Sequence, residues 1–153
     1  MSYEPSSPTQ QDRSRNYALM WFGGACTLLV SANLFVGMDN MLVVMAYGGM
    51  AGGLIQASLG KAHDEYFREL AAIGWRFLGT GLGCYLMILF LIAAGDLSYS
   101  AGYWASASDT PSAHPFAQNR FFADPITVGV SLSALFYAGF AFGWLRDNLG
   151  ARS

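Results

Sequence analysis

The chain has 153 residues, of which 54% are apolar and only 12% are Asp, Glu, Lys or Arg. A soluble domain carries about 25% charged residues, roughly twice that share. With a net charge of −2, eight scattered basic residues and two cysteines, the composition excludes a soluble enzyme, a disordered chain, a nucleic-acid-binding face and a disulfide scaffold.

Residues 1–16 are polar, with Pro5 and Pro8, and read as a flexible tail. The first apolar span runs from about Tyr17 to Val36 without Asp, Glu, Lys, Arg or His. Arg13 and Arg15 ahead of it, and Val30-Ser31-Ala32 within it, imitate a signal peptide. The apolar run continues through Leu34, Phe35 and Val36, so the segment is read as an uncleaved anchor. The turn Gly37-Met38-Asp39-Asn40 is short enough to force an antiparallel hairpin, with Asp39 or Asn40 capping the second helix.

The second span covers 41–59, and Gly60 is its expected stop. It contains Gly48, Gly49, Gly52 and Gly53, two overlapping GxxxG registers. Lipid tails are as apolar as leucine, so close backbone approach at small residues is what brings spanning helices together. From Lys61 onward Tyr66, Phe67, Leu70, Ile73 and Phe77 share a helical face, and Asp64 and Arg68 stand four apart as a charge pair. The third helix is therefore expected to begin below the membrane as a partly amphipathic extension. Its span covers 70–94, with Gly79 and Gly83 at GxxxG spacing. Arg76, one turn inside, is placed to snorkel to a lipid headgroup, and Arg146 lies at the corresponding end of the fourth span.

Residues 96–124 form a long outer connection rich in rings: Tyr99, Tyr103, Trp104, Phe116, Phe121 and Phe122. That content suits a surface lying on the membrane interface or against a partner. Asp124-Pro125 opens the fourth span, 126–145, with a capping residue and a first-turn proline. Gly139 and Gly143 repeat the GxxxG spacing there, and 149–153 form a short tail after a spanning domain of 17–148.

Each span holds about the 20 residues that cross a bilayer core of about 30 Å. Runs such as Leu86-Met87-Ile88-Leu89-Phe90 do not alternate as barrel strands do. The expected fold is an all-α integral membrane bundle of four transmembrane helices. Arg13, Arg15, Lys61, Arg68, Arg76, Arg146 and Arg152 fall on one side and Arg120 alone on the other. The positive-inside rule then puts both termini in the cytoplasm, with Trp21, Trp75 and Trp144 at the inner ends of spans.

Little in the sequence carries chemistry. The deep parts of the spans hold no Asp, Glu, Lys, Arg or His, which argues against proton-coupled pumps and voltage sensors. His63 and His114 lie on opposite sides, so no bis-histidine haem is expected in the bundle core. Cys26 and Cys84 form no CxxC, so neither an iron–sulfur cluster nor thiol exchange is expected. No nucleotide-binding motif is present. The densest polar cluster is His63-Asp64-Glu65 with Glu69 one turn on, read as a solvated face rather than a metal or catalytic site. A membrane enzyme using His63, Glu65 and Glu69 ranks last.

The leading expectation is a non-catalytic accessory or scaffolding subunit of a larger inner-membrane complex, with a respiratory or photosynthetic assembly as one setting. Its expected partners are the bilayer, bound lipids and other membrane subunits or itself. The alternative is a small oligomeric channel or transporter whose neutral pore uses Thr27, Ser31, Asn33, Gln56, Thr80, Tyr85, Ser131 and Ser133.

Overall fold

The computed structural model describes residues 9–38, 40–59, 64–105 and 124–150. These residues are helical apart from short caps and turns. The helices are α1 (Gln10–Val36), α2 (Met41–Leu59), α3 (Glu65–Ala105) and α4 (Pro125–Gly150). Each is long and apolar enough to cross a membrane.

Every helix start carries a side chain that satisfies orphan backbone donors. Thr9 and Asp12 form a reciprocal capping box at α1, with the Asp12 N–H donating to Thr9 Oγ1 at 3.2 Å. Asn40 accepts from the Val43 N–H at 3.0 Å, Asp64 from Phe67 at 2.8 Å and Asp124 from Thr127 at 2.9 Å. At the far end of α1, Gly37 adopts φ 68° and donates its N–H to the Asn33 carbonyl. A side chain at Gly37 would strain that left-handed turn.

α1 lies between α2 and α4, and α3 packs on the far side of α4. Successive helices run antiparallel. The starts of α1 and α3 and the ends of α2 and α4 therefore meet at one end of the bundle. All five described arginines collect there: Arg13, Arg15, Arg68, Arg76 and Arg146. The core is built from Met20 and Val30 of α1, Phe67 and Leu70 of α3, and Val130, Phe136 and Phe140 of α4. Tyr17 packs edge-on against Phe67 at 5.5 Å, and Phe67 against Phe140 at 5.8 Å.

Three features differ from the sequence expectation. α1 begins at Gln10, inside the expected 1–16 tail, because the Thr9–Asp12 capping box nucleates about two extra polar turns. α3 continues through residues 96–105 of the expected outer loop, reaching 41 residues or about 61 Å. Nothing before Ala105 breaks it: residues 96–105 contain no proline. Asp64 turns away from Arg68 and pairs with Arg13 across the bundle at 3.5 Å, since its side chain is already directed to the helix start as a cap.

Candidate functional site

The eight glycines at GxxxG spacing divide into two sets. Gly49, Gly53, Gly139 and Gly143 face neighbouring helices inside the bundle. A Cβ on Gly49 would collide with Cys26 and Phe22 of α1, and one on Gly53 with the Tyr137 hydroxyl. On α4, a Cβ on Gly139 would meet the Phe77 ring at 2.8 Å and one on Gly143 would meet Leu70 and Ile73 at 2.9 Å. Gly48, Gly52, Gly79 and Gly83 face outward, with nothing within 4 Å of an added Cβ.

The split follows from helix geometry. One register of the doubled motif turns to α1, and the adjacent register is rotated by about 100° onto the outside. On α3 the line facing α4 is Leu70, Gly74, Phe77 and Gly81, at spacings of three and four. A Cβ on Gly74 would meet the Phe136 carbonyl oxygen at 2.8 Å, and one on Gly81 would strike Leu135. That line was legible as a helical repeat, but the denser Gly79-Thr80-Gly81-Leu82-Gly83 string draws attention to the wrong face.

The outward glycines sit within apolar surface. Along α2, Met41, Met45, Ile55 and Leu59 continue the Gly48–Gly52 stripe at spacings of three and four, all at least half exposed. Along α3, Leu86 and Phe90 continue the Gly79–Gly83 stripe, exposed by 54% and 65%. From Trp75 to Gly95 no residue of α3 is fully buried, although this helix contains the most apolar stretch of the four.

Nothing in the residue pattern singles out Tyr137, which joins three helices. Its ring lies over Gly23 and Gly24 of α1, and its hydroxyl donates to the Met50 carbonyl of α2 at 2.9 Å. A second interhelical polar contact, the half-buried donation of Gln56 Nε2 to Asn16 Oδ1 at 3.1 Å, ties α2 to α1 nearer the arginine-rich end. There the Tyr17 hydroxyl also donates to Asp64 at 3.4 Å, and Trp21 packs edge-on to Trp144 at 5.5 Å. Trp75 meets Phe136 with ring centroids 4.8 Å apart and planes tilted by 55°.

The neutral polar residues considered for a pore are spread apart. Thr27, Ser31, Thr80, Ser131 and Ser133 each donate to the carbonyl four residues back on their own helix. Asn33 accepts from Met38 at the α1–α2 turn. Tyr85 and Ser131 border a mostly apolar hollow of about 170 Å³ between α3 and α4. Cys26 is buried and Cys84 exposed, and both are free thiols.

Glu65 and Glu69 are exposed on α3. Among the described residues no group of three or more His, Cys, Asp or Glu comes together. His63, Phe116, Phe121 and Phe122 lie outside the described residues, as do His114, Asp39 and Gly60; Tyr99, Tyr103 and Trp104 fall on the last turns of α3. Arg76 and Arg146 border one hollow of about 290 Å³ between α3 and α4. No protein-family model, curated protein or solved structure matches the chain.

Proposed function

We propose that this chain is a non-catalytic membrane subunit that holds other membrane helices against its outer faces. The observation that carries the reading is the pair of open glycine stripes. Gly48–Gly52 on α2 and Gly79–Gly83 on α3 leave their helix backbones bare, while the inward glycines already supply the bundle's own packing. In lipid, backbone approach at small residues is a main source of helix association, so a bare GxxxG face suits a second helix better than it suits acyl chains. The setting is a cytoplasmic membrane with both termini inside, because the arginine-rich end takes the cytoplasmic side under the positive-inside rule.

The polar side chains support a scaffold over a pore. Five of the eight candidate pore residues spend their hydroxyls on their own helix backbones. The test is purification from the native membrane in mild detergent. A scaffold co-migrates with larger chains at fixed stoichiometry. A chain that purifies alone as a symmetric oligomer and conducts ions in liposomes overturns the reading.

A further inference from the structure

The hollow between α3 and α4 at the arginine-rich end has a chemical polarity that the scaffold reading does not use. Its floor is Leu70 and Ile73, and its rim is Glu69, Arg76, Arg146 and Asp147. Two cations and two anions border it, so it is no simple anion trap. Asp147 is engaged by the Arg146 Nε at 2.9 Å and by the Tyr66 hydroxyl, so these two charges pair with each other at the polar end, beside Glu69. Among the described residues neither Arg76 nor Glu69 enters an ion pair. The hollow is thus flanked by one unpaired cation and one unpaired anion.

These two are ordered along the helix. Glu69 and Arg76 are seven residues apart, two turns on one face of α3, which is about 10 Å of rise. Arg76 lies deeper in the apolar span, and Glu69 lies toward the polar end. An unpaired arginine at that depth is costly unless it meets a phosphate. The stripe above Arg76 is Gly79 and Gly83, both open, which leaves a shallow apolar track toward Leu86 and Phe90.

We propose that this hollow binds a glycerophospholipid with a primary-ammonium headgroup, of the phosphoethanolamine type. Its phosphodiester, nearest the acyl chains, meets Arg76. Its ammonium, farther toward water, donates to Glu69. One acyl chain follows Gly79 and Gly83. The order of charges in the headgroup, anion deep and cation shallow, complements the two unpaired groups, Arg76 deep and Glu69 shallow, with the Arg146–Asp147 pair neutral as a whole beside Glu69. This inference shares the membrane-spanning reading with the scaffold proposal, but it is tested by lipid retention rather than by partner retention.

The experiment is native mass spectrometry of the full chain from micelles doped with equal amounts of phosphatidylethanolamine, phosphatidylglycerol and phosphatidylcholine. The parent retains phosphatidylethanolamine about tenfold over the other two, the effect of one charge-assisted hydrogen bond. Glu69→Gln erases that preference while phospholipid is still retained. Arg76→Gln lowers retention of all three about tenfold. Both positions are exposed, so both variants should fold, and an unchanged elution volume verifies this. Phosphatidylglycerol retained as well as phosphatidylethanolamine would overturn the proposal in favour of simple anion binding. Parent-like retention by Arg76→Gln would also overturn it. Displacement of lipid by millimolar inorganic phosphate would show a free-phosphate site instead; the proposal expects no displacement.

Discussion

The hydroxyl of Tyr137 reaches the carbonyl of Met50 across two helix surfaces, at 2.9 Å, through a gap that Gly23 and Gly53 keep open. This contact links α4 to α2, which meets the bundle mainly through α1. The carbonyl it uses lies within α2, where the helix ladder already supplies an N–H, so the tyrosine adds a second bond rather than rescuing an orphan. Tyr137→Phe keeps the ring over Gly23 and removes that bond alone. It should lower stability in micelles by about 1 kcal/mol, as interhelical hydrogen bonds in membranes do. Gly53→Ala should cost about 1–3 kcal/mol, because its methyl group takes the space of the hydroxyl. Reversible unfolding in mixed micelles checks both, and equal stability of Tyr137→Phe and the parent would show that the bond does not hold α4 to α2.

The inward register of the doubled glycine motif holds α2 to α1. Gly49→Leu or Gly53→Leu should part these helices at a cost of at least about 1–3 kcal/mol, while insertion is unaffected because leucine is favoured in lipid. Cys26 reports the opening directly, since it is 8% exposed and lies under Gly49. Thiol labelling of Cys26 should rise in Gly49→Leu and stay at the parent level in Gly48→Leu. The exposed Cys84 serves as the internal reference.

Much of this arrangement was legible in the residues, for identifiable reasons. The span of α2, the turn at Gly37 and the caps at Asn40 and Asp124 follow from short-range rules of helix ends and apolar length. Where a glycine pair points is a tertiary matter. Gly48 and Gly49 are adjacent in sequence yet face opposite environments, and only the position of α1 decides between them. Tyr137 was hidden for the same reason: a tyrosine in an apolar span reads as bulk until its partner carbonyl, 87 residues away, is located. The end of α3 escaped because its last turns are polar and aromatic, and composition without apolar periodicity cannot separate a helix from a loop.

The start of α4 should respond to acid. The Asp124 carboxylate accepts from the Thr127 N–H and hydroxyl, and these bonds hold its pKa below the ordinary 3.8. A depressed folded pKa means that the stabilisation is complete above about pH 4 and is lost as pH falls through the folded value. The protection of the Thr127 amide relative to its intrinsic exchange rate at each pH should therefore fall below pH 4 in the parent. Asp124→Asn keeps an acceptor without titrating, so its protection should stay level over that range. Parallel acid loss in both would assign the effect to another group.

The sidedness of the bundle has its own test. Reporter fusions after Gly60 and after Ser153 should both read cytoplasmic, and one at Thr110 should read outside. An outside reading at Gly60 would reverse the placement of the arginine-rich end and the setting proposed for the protein.

The most direct measurement of the scaffold proposal compares the two glycine registers within one purification. Gly48→Leu/Gly52→Leu fills the open stripe of α2 without touching the bundle, where nothing lies within 4 Å of either position. Extracted from its native membrane in mild detergent, this variant should insert at the parent level and keep Cys26 protected, yet lose the chains that co-migrate with the parent. If those chains stay bound at the parent stoichiometry to this variant and to the matching Gly79→Leu/Gly83→Leu variant, the outward glycine faces do not hold a partner and the central claim is wrong.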